Sequence, residues 1–253
     1  MTHRRFYTPP EAFATDDKSV TLSAEETRHL HDVLRLKEGD EVYVFDGAGH
    51  EFRGEVQTMA RDSTDVNVIE EVEPARPESL LDLKLAVGLL KGEKFDLVVQ
   101  KAVEMGATSV FPVVTARADV RIRSEEDAPR KLIRWQRIVL EATKQCGRAR
   151  LMKIEAPISF ANLITQSANS SELRLMFAER DGGSFGDPLD DLTVKPTKLI
   201  ALIGSEGGFS DDEITQAREI GWEIVTLGGR VMRAETAAIA IAALLQHRFG
   251  DLK

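Results

Sequence analysis

Hydrophobic positions keep one period in the first 73 residues and another in the rest of the chain. In "DEVYVFDG", Val42 and Val44 alternate with Tyr43 and Phe45 before the chain turns through "DGAG". "HEFRGEVQTM" and "STDVNVIEEV" are further short strands of the half-buried kind. Ahead of them "SAEETRHLHDVLR" has helical spacing, and Ser23 with Glu26 predicts a capping box at its start. Short strands and tight turns in so small a module predict a little β-barrel over residues 1–73. Pro74 and Pro77 in "EVEPARPESL" break the periodicity and predict a stiff linker.

From residue 74 to 253 the pattern changes to strand–helix alternation. "LDLKLAVGLL" is a continuous apolar run, as expected of a strand buried on both faces. In "GEKFDLVVQKAVEMG", Phe95, Val98, Val99, Ala102 and Met105 share one helical face, and Gly106 suits the C-terminal cap. "TSVFPVV" follows as a strand, completing a βαβ unit and hence a parallel pair. Further strands are predicted at "LRLMFAE", "KLIALIG" and "EIVTLG". Further helices are predicted at "PRKLIRWQRIVLEATKQCG", "DDEITQAREIG" and "AETAAIAIAALLQHRF". The fold class is therefore α/β: an open parallel sheet with helices on both faces, preceded by the small β module.

Composition narrows the function classes. Apolar runs of at most about ten residues fall short of the ~20 that span a bilayer. "MTHRRFYTPPEAF" lacks the apolar core of a signal peptide, so a cytoplasmic protein without membrane attachment is expected. Cys146 is the sole cysteine, which rules out an intramolecular disulfide and a multi-cysteine zinc site. His29 and His31 lack further ligands, and no metal is expected. The net charge of −9 argues against indiscriminate nucleic-acid coating. That deficit sits in residues 1–73, with 8 basic and 17 acidic residues, whereas Arg117 to Lys153 holds 11 basic and 5 acidic ones.

Three stretches carry chemistry. In "LIGSEGGFSDDEI" an apolar strand runs into glycines and a helix start, the layout of a phosphate loop, yet Glu206 sits among the glycines. Ser210 and Glu213 form a second capping box, and Asp211 and Asp212 already satisfy the helix dipole. No G-x-x-x-x-G-K-[ST] or G-x-G-x-x-G is present. Such a loop permits close backbone approach and disfavours phosphate, which suits S-adenosylmethionine; the alternative is a tight turn whose glycines only supply positive φ. In "VTLGGRVMRAETAAIAIAALL" a second strand ends in glycines and enters an alanine-rich helix. Both turns would share the carboxyl edge of the sheet, where open α/β sheets bind ligands. In the third stretch Arg130, Arg134, Arg137, Lys144 and Arg148 make a helical stripe, with Arg117, Arg121 and Arg123 on a loop before it. This is either a phosphate-binding face for RNA or a solvated helix face.

Together these stretches resemble the bacterial 16S ribosomal RNA (uracil-N3)-methyltransferases of the SPOUT class, the RsmE type. The resemblance runs nearly end to end through "RHLHDVLRLKEGDEVYVFDGAGHEF", "KGEKFDLVVQKAVEMGATSVFPVVTARADVR", "RWQRIVLEATKQCGR", "LIGSEGGFSDDEI" and "LGGRVMRAETAAIAIAALLQ". The last two, in that order near the C-terminus, are the most specific. Proline usually stands at Ser205, and isoleucine–leucine at Val231–Met232, both mild departures in loops that present mainly backbone.

The resemblance implies a PUA-like RNA-holding barrel in 1–73 and a SPOUT methyltransferase domain in 74–253. A C-terminal trefoil knot and the cofactor site would lie at about 175–245. It also implies a homodimer acting on 16S rRNA of the small ribosomal subunit, with S-adenosylmethionine as cofactor. Cofactor contacts carry over to Gly204, Glu206, Gly207 and Gly208, then to Leu227, Gly228, Val231, Met232 and Arg233. Glu235, Thr236 and Ala237 close the site.

Uracil N3 is a poor nucleophile until its proton leaves and negative charge spreads onto O2 and O4. Arg233 is expected to receive that charge with its guanidinium fork. Glu206 is either the base or a binder of ribose hydroxyls or the amino group. Arg121, Arg123, Arg130, Arg134 and Arg137 are expected on RNA phosphates. Three rival readings remain. One is a SPOUT ribose 2′-O-methyltransferase of tRNA or rRNA, whose serine-and-asparagine signature "RVMRAETA" lacks. The others are a non-catalytic RNA-binding or ribosome-assembly module and an NTP-binding enzyme without the P-loop lysine.

Overall fold

A computed structural model describes residues 4–14, 18–120, 127–168, 170–186 and 194–253. The chain divides into two units. The first runs to Glu78 and takes in Leu140–Leu151; the second comprises Ser79–Val139 and Met152–Lys253.

The first unit holds strands β1 (Arg5–Tyr7), β2 (Ser19–Leu22), β3 (Glu41–Phe45), β4 (Glu51–Met59) and β5 (Thr64–Val72), ordered β1-β3-β4-β5-β2. β1 runs parallel to β3 and the other pairs are antiparallel. Register shifts at Arg53/Gly54 and Val56/Thr58 bend the long β4–β5 pair. Gly54 sits at one of them because a Cβ there would lie 2.7 Å from the Asn67 carbonyl oxygen. The sheet curls around Phe6, Leu22, Leu30, Val42, Val44 and Val66, all buried. The expected alternation in β3 ends at Phe45, which is buried too, because the Arg5 guanidinium covers its ring at 4.7 Å.

Helix α1 (Ala24–Arg28) passes directly into a π-helical turn over His29–Val33. Only half of its predicted capping box forms. Ser23 Oγ accepts from the Glu26 N–H, but the Glu26 carboxylate accepts from Lys144 Nζ at 2.8 and 3.1 Å instead. Glu26 is buried, and an ammonium stabilises a buried carboxylate better than a backbone amide does. Burial pushes its pKa up, and Lys144 offsets only part of that.

Similar pairs bind Leu140–Leu151 to the same unit. Arg5 donates to both Glu51 oxygens, at 2.7 and 3.1 Å, and to the carbonyls of Lys144 and Arg148. Arg148, buried, pairs with Glu78 at 2.7 Å. Lys144 and Arg148 therefore do not belong to an RNA-facing stripe; their charges are spent inside the protein.

The second unit is a parallel sheet of β6 (Asp82–Gly88), β7 (Ser109–Val114), β8 (Lys153–Ile154), β9 (Ile158–Ser159), β10 (Leu173–Phe177), β11 (Gly183–Ser184), β12 (Lys198–Ile203) and β13 (Glu223–Thr226). The order is β11-β13-β10-β12-β6-β7-β8, with β9 also on β7, and every pair is parallel. β12 thus lies between β10 and β6, and the chain then crosses to β13 on the far side of β10. Helices α4 (Phe160–Ser167) and α5 (Asp211–Glu219) cover Ala86, Met176, Ile200 and Leu202. Helix α2 (Lys94–Glu104) packs on α6 (Ala234–Phe249), and α6 packs on β6 and β12. Both faces are covered, which is why the strands read as continuous apolar runs. Helix α3 (Asp127–Cys146) buries Trp135, Val139 and Ala142, which share one face.

The buried Arg5–Glu51 pair yields a stability prediction, since removing one partner leaves an uncompensated buried charge. Arg5→Leu should lower the free energy of opening of the first unit by about 3–5 kcal/mol. Amide hydrogen exchange of the β3–β5 core reads this, with the exposed Arg61→Leu as the unchanged control. Equal protection in the two variants would contradict it.

Candidate functional site

The carboxyl ends of β10, β12 and β13 open onto one cavity of about 530 Å³. Phe177 and Ile203, register partners at the ends of β10 and β12, form its apolar floor. Its walls are the two glycine loops singled out in the sequence, and they come together at the expected edge.

The first loop is folded tightly. Gly208 N–H donates to the Ser205 carbonyl at 2.9 Å, and Gly208 takes φ +65°, a left-handed conformation that favours glycine. Two further glycines are set by crowding. A Cβ on Gly88, at the end of β6, would lie 2.4 Å from the Ser205 nitrogen, and one on Gly207 would lie 2.7 Å from the Arg117 carbonyl oxygen. The loop is wedged between the end of β6 and the segment after β7. Ser205 is buried there, with its hydroxyl 3.4 Å from that of Thr115. The capping box of Ser210 and Glu213 forms in full, and Glu213 also accepts from the Ala116 N–H at 2.8 Å. One carboxylate thus caps α5 and holds the segment against which Gly207 packs.

Of the expected cofactor residues, Gly204, Glu206 and Gly208 line the cavity, as do Leu227, Gly228, Val231, Met232, Arg233 and Ala237. Gly207 does not; its space is taken by Arg117. Thr236 and Glu235, in the first turn of α6, are not on the wall either. The wall also holds residues that the motifs did not single out: Lys94 at the start of α2, Glu179 after β10, and Arg230. The signal for Lys94 and Glu179 was available, since the β6 and β10 turns also lie at carboxyl ends of parallel strands.

Glu206 is not an isolated carboxylate. Lys94 Nζ donates to its Oε1 at 2.8 Å. Burial alone pushes its pKa up, but Lys94 and the N–H groups of Glu206 and Lys91 more than offset this, so the carboxyl is held below its usual range. Arg233 is the N-cap residue of α6 and makes no side-chain cap. It is exposed on the cavity wall, and its guanidinium has no ion-pair partner among the described residues.

Arg130, Arg134 and Arg137 lie exposed on α3, and Arg134 pairs with Asp96. Arg117 is exposed after β7, while Arg121 and Arg123 fall outside the described residues. Among the described residues, no three His, Cys, Asp or Glu side chains gather as a metal site, and no helix is long and apolar enough to cross a membrane.

Known proteins resemble this chain in sequence and fold. The family model for an RNA methyltransferase domain matches residues 77–246, and that for an RNA methyltransferase PUA domain matches residues 22–69. The ribosomal RNA small subunit methyltransferase E of Synechocystis is 32% identical over 246 residues, covering 96% of this chain and 77% of that relative. The protein of the same name from Bacillus subtilis is 29% identical over 91% of this chain and 90% of its own. The crystal structure of the Neisseria gonorrhoeae ribosomal RNA small subunit methyltransferase E bound to S-adenosyl methionine superposes with a TM-score of 0.87. It is 29% identical, and the match covers 99% of this chain and all of the other. A domain match over more than half the chain, and a relative aligned along nearly all of it, make this protein a member of the ribosomal RNA small subunit methyltransferase E family.

Proposed function

We propose that this protein transfers the methyl group of S-adenosylmethionine to N3 of a uridine in 16S rRNA of the small ribosomal subunit, acting as a cytoplasmic homodimer. The observation that carries the reading is the cavity itself. It sets an arginine without an ion-pair partner among the described residues, Arg233, opposite a tight glycine loop whose following helix start is filled by Asp211, Asp212 and Glu213 instead of a phosphate.

The residues present fit the cofactor. A cavity of about 530 Å³ is in the usual range for small-molecule sites. Backbone approach is unobstructed where Gly208 and Gly228 line it, and Phe177 and Ile203 supply apolar surface for an adenine. When bound, S-adenosylmethionine supplies an electrophilic methyl on a sulfonium, and the protein's task is to position it and ready the acceptor. Gly204, Glu206, Gly208, Leu227, Gly228, Val231, Met232 and Ala237 would hold it. Arg233 receives the negative charge that spreads onto the uracil oxygens as N3 loses its proton. Glu206, held ionised, is a weak base and serves in binding. Glu179, the wall's other carboxylate among the described residues, would accept the N3 proton.

Family matches on either side of Pro74 support an RNA-holding module in 1–73 and a catalytic domain in 74–253. The excursion of the chain from β12 past β10 to β13 supports a threaded, knotted segment at about 175–245. Arg130, Arg134 and Arg137, exposed on α3, would meet RNA phosphates, together with the loop carrying Arg121 and Arg123. A second copy would cover Val231, 80% exposed, and the apolar outer face of α6 around Ala240 and Leu244.

Small subunits lacking the modification, incubated with enzyme and S-adenosylmethionine, should yield 3-methyluridine in nucleoside analysis. A 2′-O-methyl nucleoside would select the ribose reading. In that assay Arg233→Ala should lower turnover about 100-fold or more while cofactor binding persists. Glu179→Gln should also slow turnover. Normal turnover in either variant would remove that residue from the mechanism. Sedimentation equilibrium should give a dimer, and Val231→Asp should weaken the dimer about tenfold or more. A monomeric wild type would contradict the homodimer.

A further inference from the structure

Among the described residues, the cavity wall includes one cation that belongs to neither glycine loop. Lys94 opens α2, and its Nζ lies 2.8 Å from Glu206 Oε1. Both side chains are partly exposed, at 35% and 26%, so the pair faces the cavity and is not sealed in the core. Lys91, three residues earlier, is turned away to Asp119 at 2.7 Å. Among the described residues, Glu206 therefore has one committed cationic partner.

We infer that Lys94 is a positioning residue that dedicates Glu206 to the ribose hydroxyls of the cofactor and withholds it from the ammonium. This rests on the S-adenosylmethionine reading above. A carboxylate accepts about four hydrogen bonds, and Lys94 together with nearby backbone N–H groups leaves room for a further donor. A hydroxyl can fill that place without adding charge. A second ammonium on the same carboxylate would sit beside Lys94 and be repelled by it. Lys94 therefore selects a neutral donor, and together with the N–H groups of Glu206 and Lys91 it lowers the Glu206 pKa against the effect of burial.

The test compares ligands of the full-length protein that differ in the parts at issue. S-adenosylhomocysteine has both ribose and amino-acid groups, whereas 5′-methylthioadenosine keeps the ribose and lacks the ammonium. Lys94→Met should weaken both by a similar factor, about tenfold, and Lys94→Arg should restore both. Titration adds a readout that a merely structural role would not move. The charged groups on the surrounding elements include, among the described residues, Lys91 with Asp119, Glu93, Arg117, Glu179, Glu213, Arg230 and Arg233. With Lys94 present, affinity should stay flat from about pH 8 down to about pH 5.5, because Glu206 remains ionised. In Lys94→Met, Glu206 protonates at higher pH, and affinity should fall as the pH drops. Glu206→Gln should remove that pH dependence.

Weakened S-adenosylhomocysteine with unchanged 5′-methylthioadenosine would move Glu206 to the ammonium and overturn the inference. Unchanged affinity for both ligands would do the same. A wild type that binds neither ligand would instead overturn the cofactor reading on which the inference rests.

Discussion

Backbone crowding around Gly204–Gly208 is the constraint from which the site follows. The loop passes so close to the end of β6 and to the segment after β7 that Gly88 and Gly207 have no room for a Cβ. A loop confined in this way cannot shift to suit a ligand, so the direction of Glu206 is decided by the fold. The confinement is itself maintained by Glu213, whose carboxylate caps α5 and holds the Ala116 N–H. The end of β6, the segment after β7 and the start of α5 converge on five residues. The ligand site is built from what those residues cannot avoid presenting.

Charge is used in two ways. In the first unit, Arg5, Glu51, Glu26, Lys144, Arg148 and Glu78 are buried or nearly so and satisfied by one another. Pairs of this kind add little net stability, but they penalise any arrangement that separates them. Around the cavity, Lys94 and Glu206 are paired while Arg230 and Arg233 have no ion-pair partner among the described residues. Buried charge there fixes where Leu140–Leu151 belongs, and open charge here is available to a substrate that develops negative charge.

The sheet was legible because burial on both faces leaves apolar runs of a length that only a covered strand tolerates, as in β6 and β12. The second capping box and the two glycine turns were legible because their signals are local. Non-local features were not. β1 pairs in parallel with a strand more than thirty residues away, and no turn chemistry announces it. Helix α4 is only eight residues long. Lys144 and Arg148 share helical spacing with exposed arginines, and only their distant partners Glu26 and Glu78 show that they point inward. Gly207 reads as a ligand glycine, yet what it accommodates is Arg117. Lys94 lies outside both motifs, and its role depends on a contact 112 positions along the chain.

The central claim is that the carboxyl-edge loops are shaped for close approach to a cofactor without phosphates, the adjoining start of α5 being already occupied by Asp211, Asp212 and Glu213. Calorimetric titration of the full-length protein with S-adenosylhomocysteine and, separately, with ATP tests it most directly. Both ligands carry adenosine, and they differ in whether phosphates or an amino acid extend from it. The account predicts saturable binding of S-adenosylhomocysteine and at least about a hundredfold weaker binding of ATP. Comparable affinity for the two, or a preference for ATP, would contradict it.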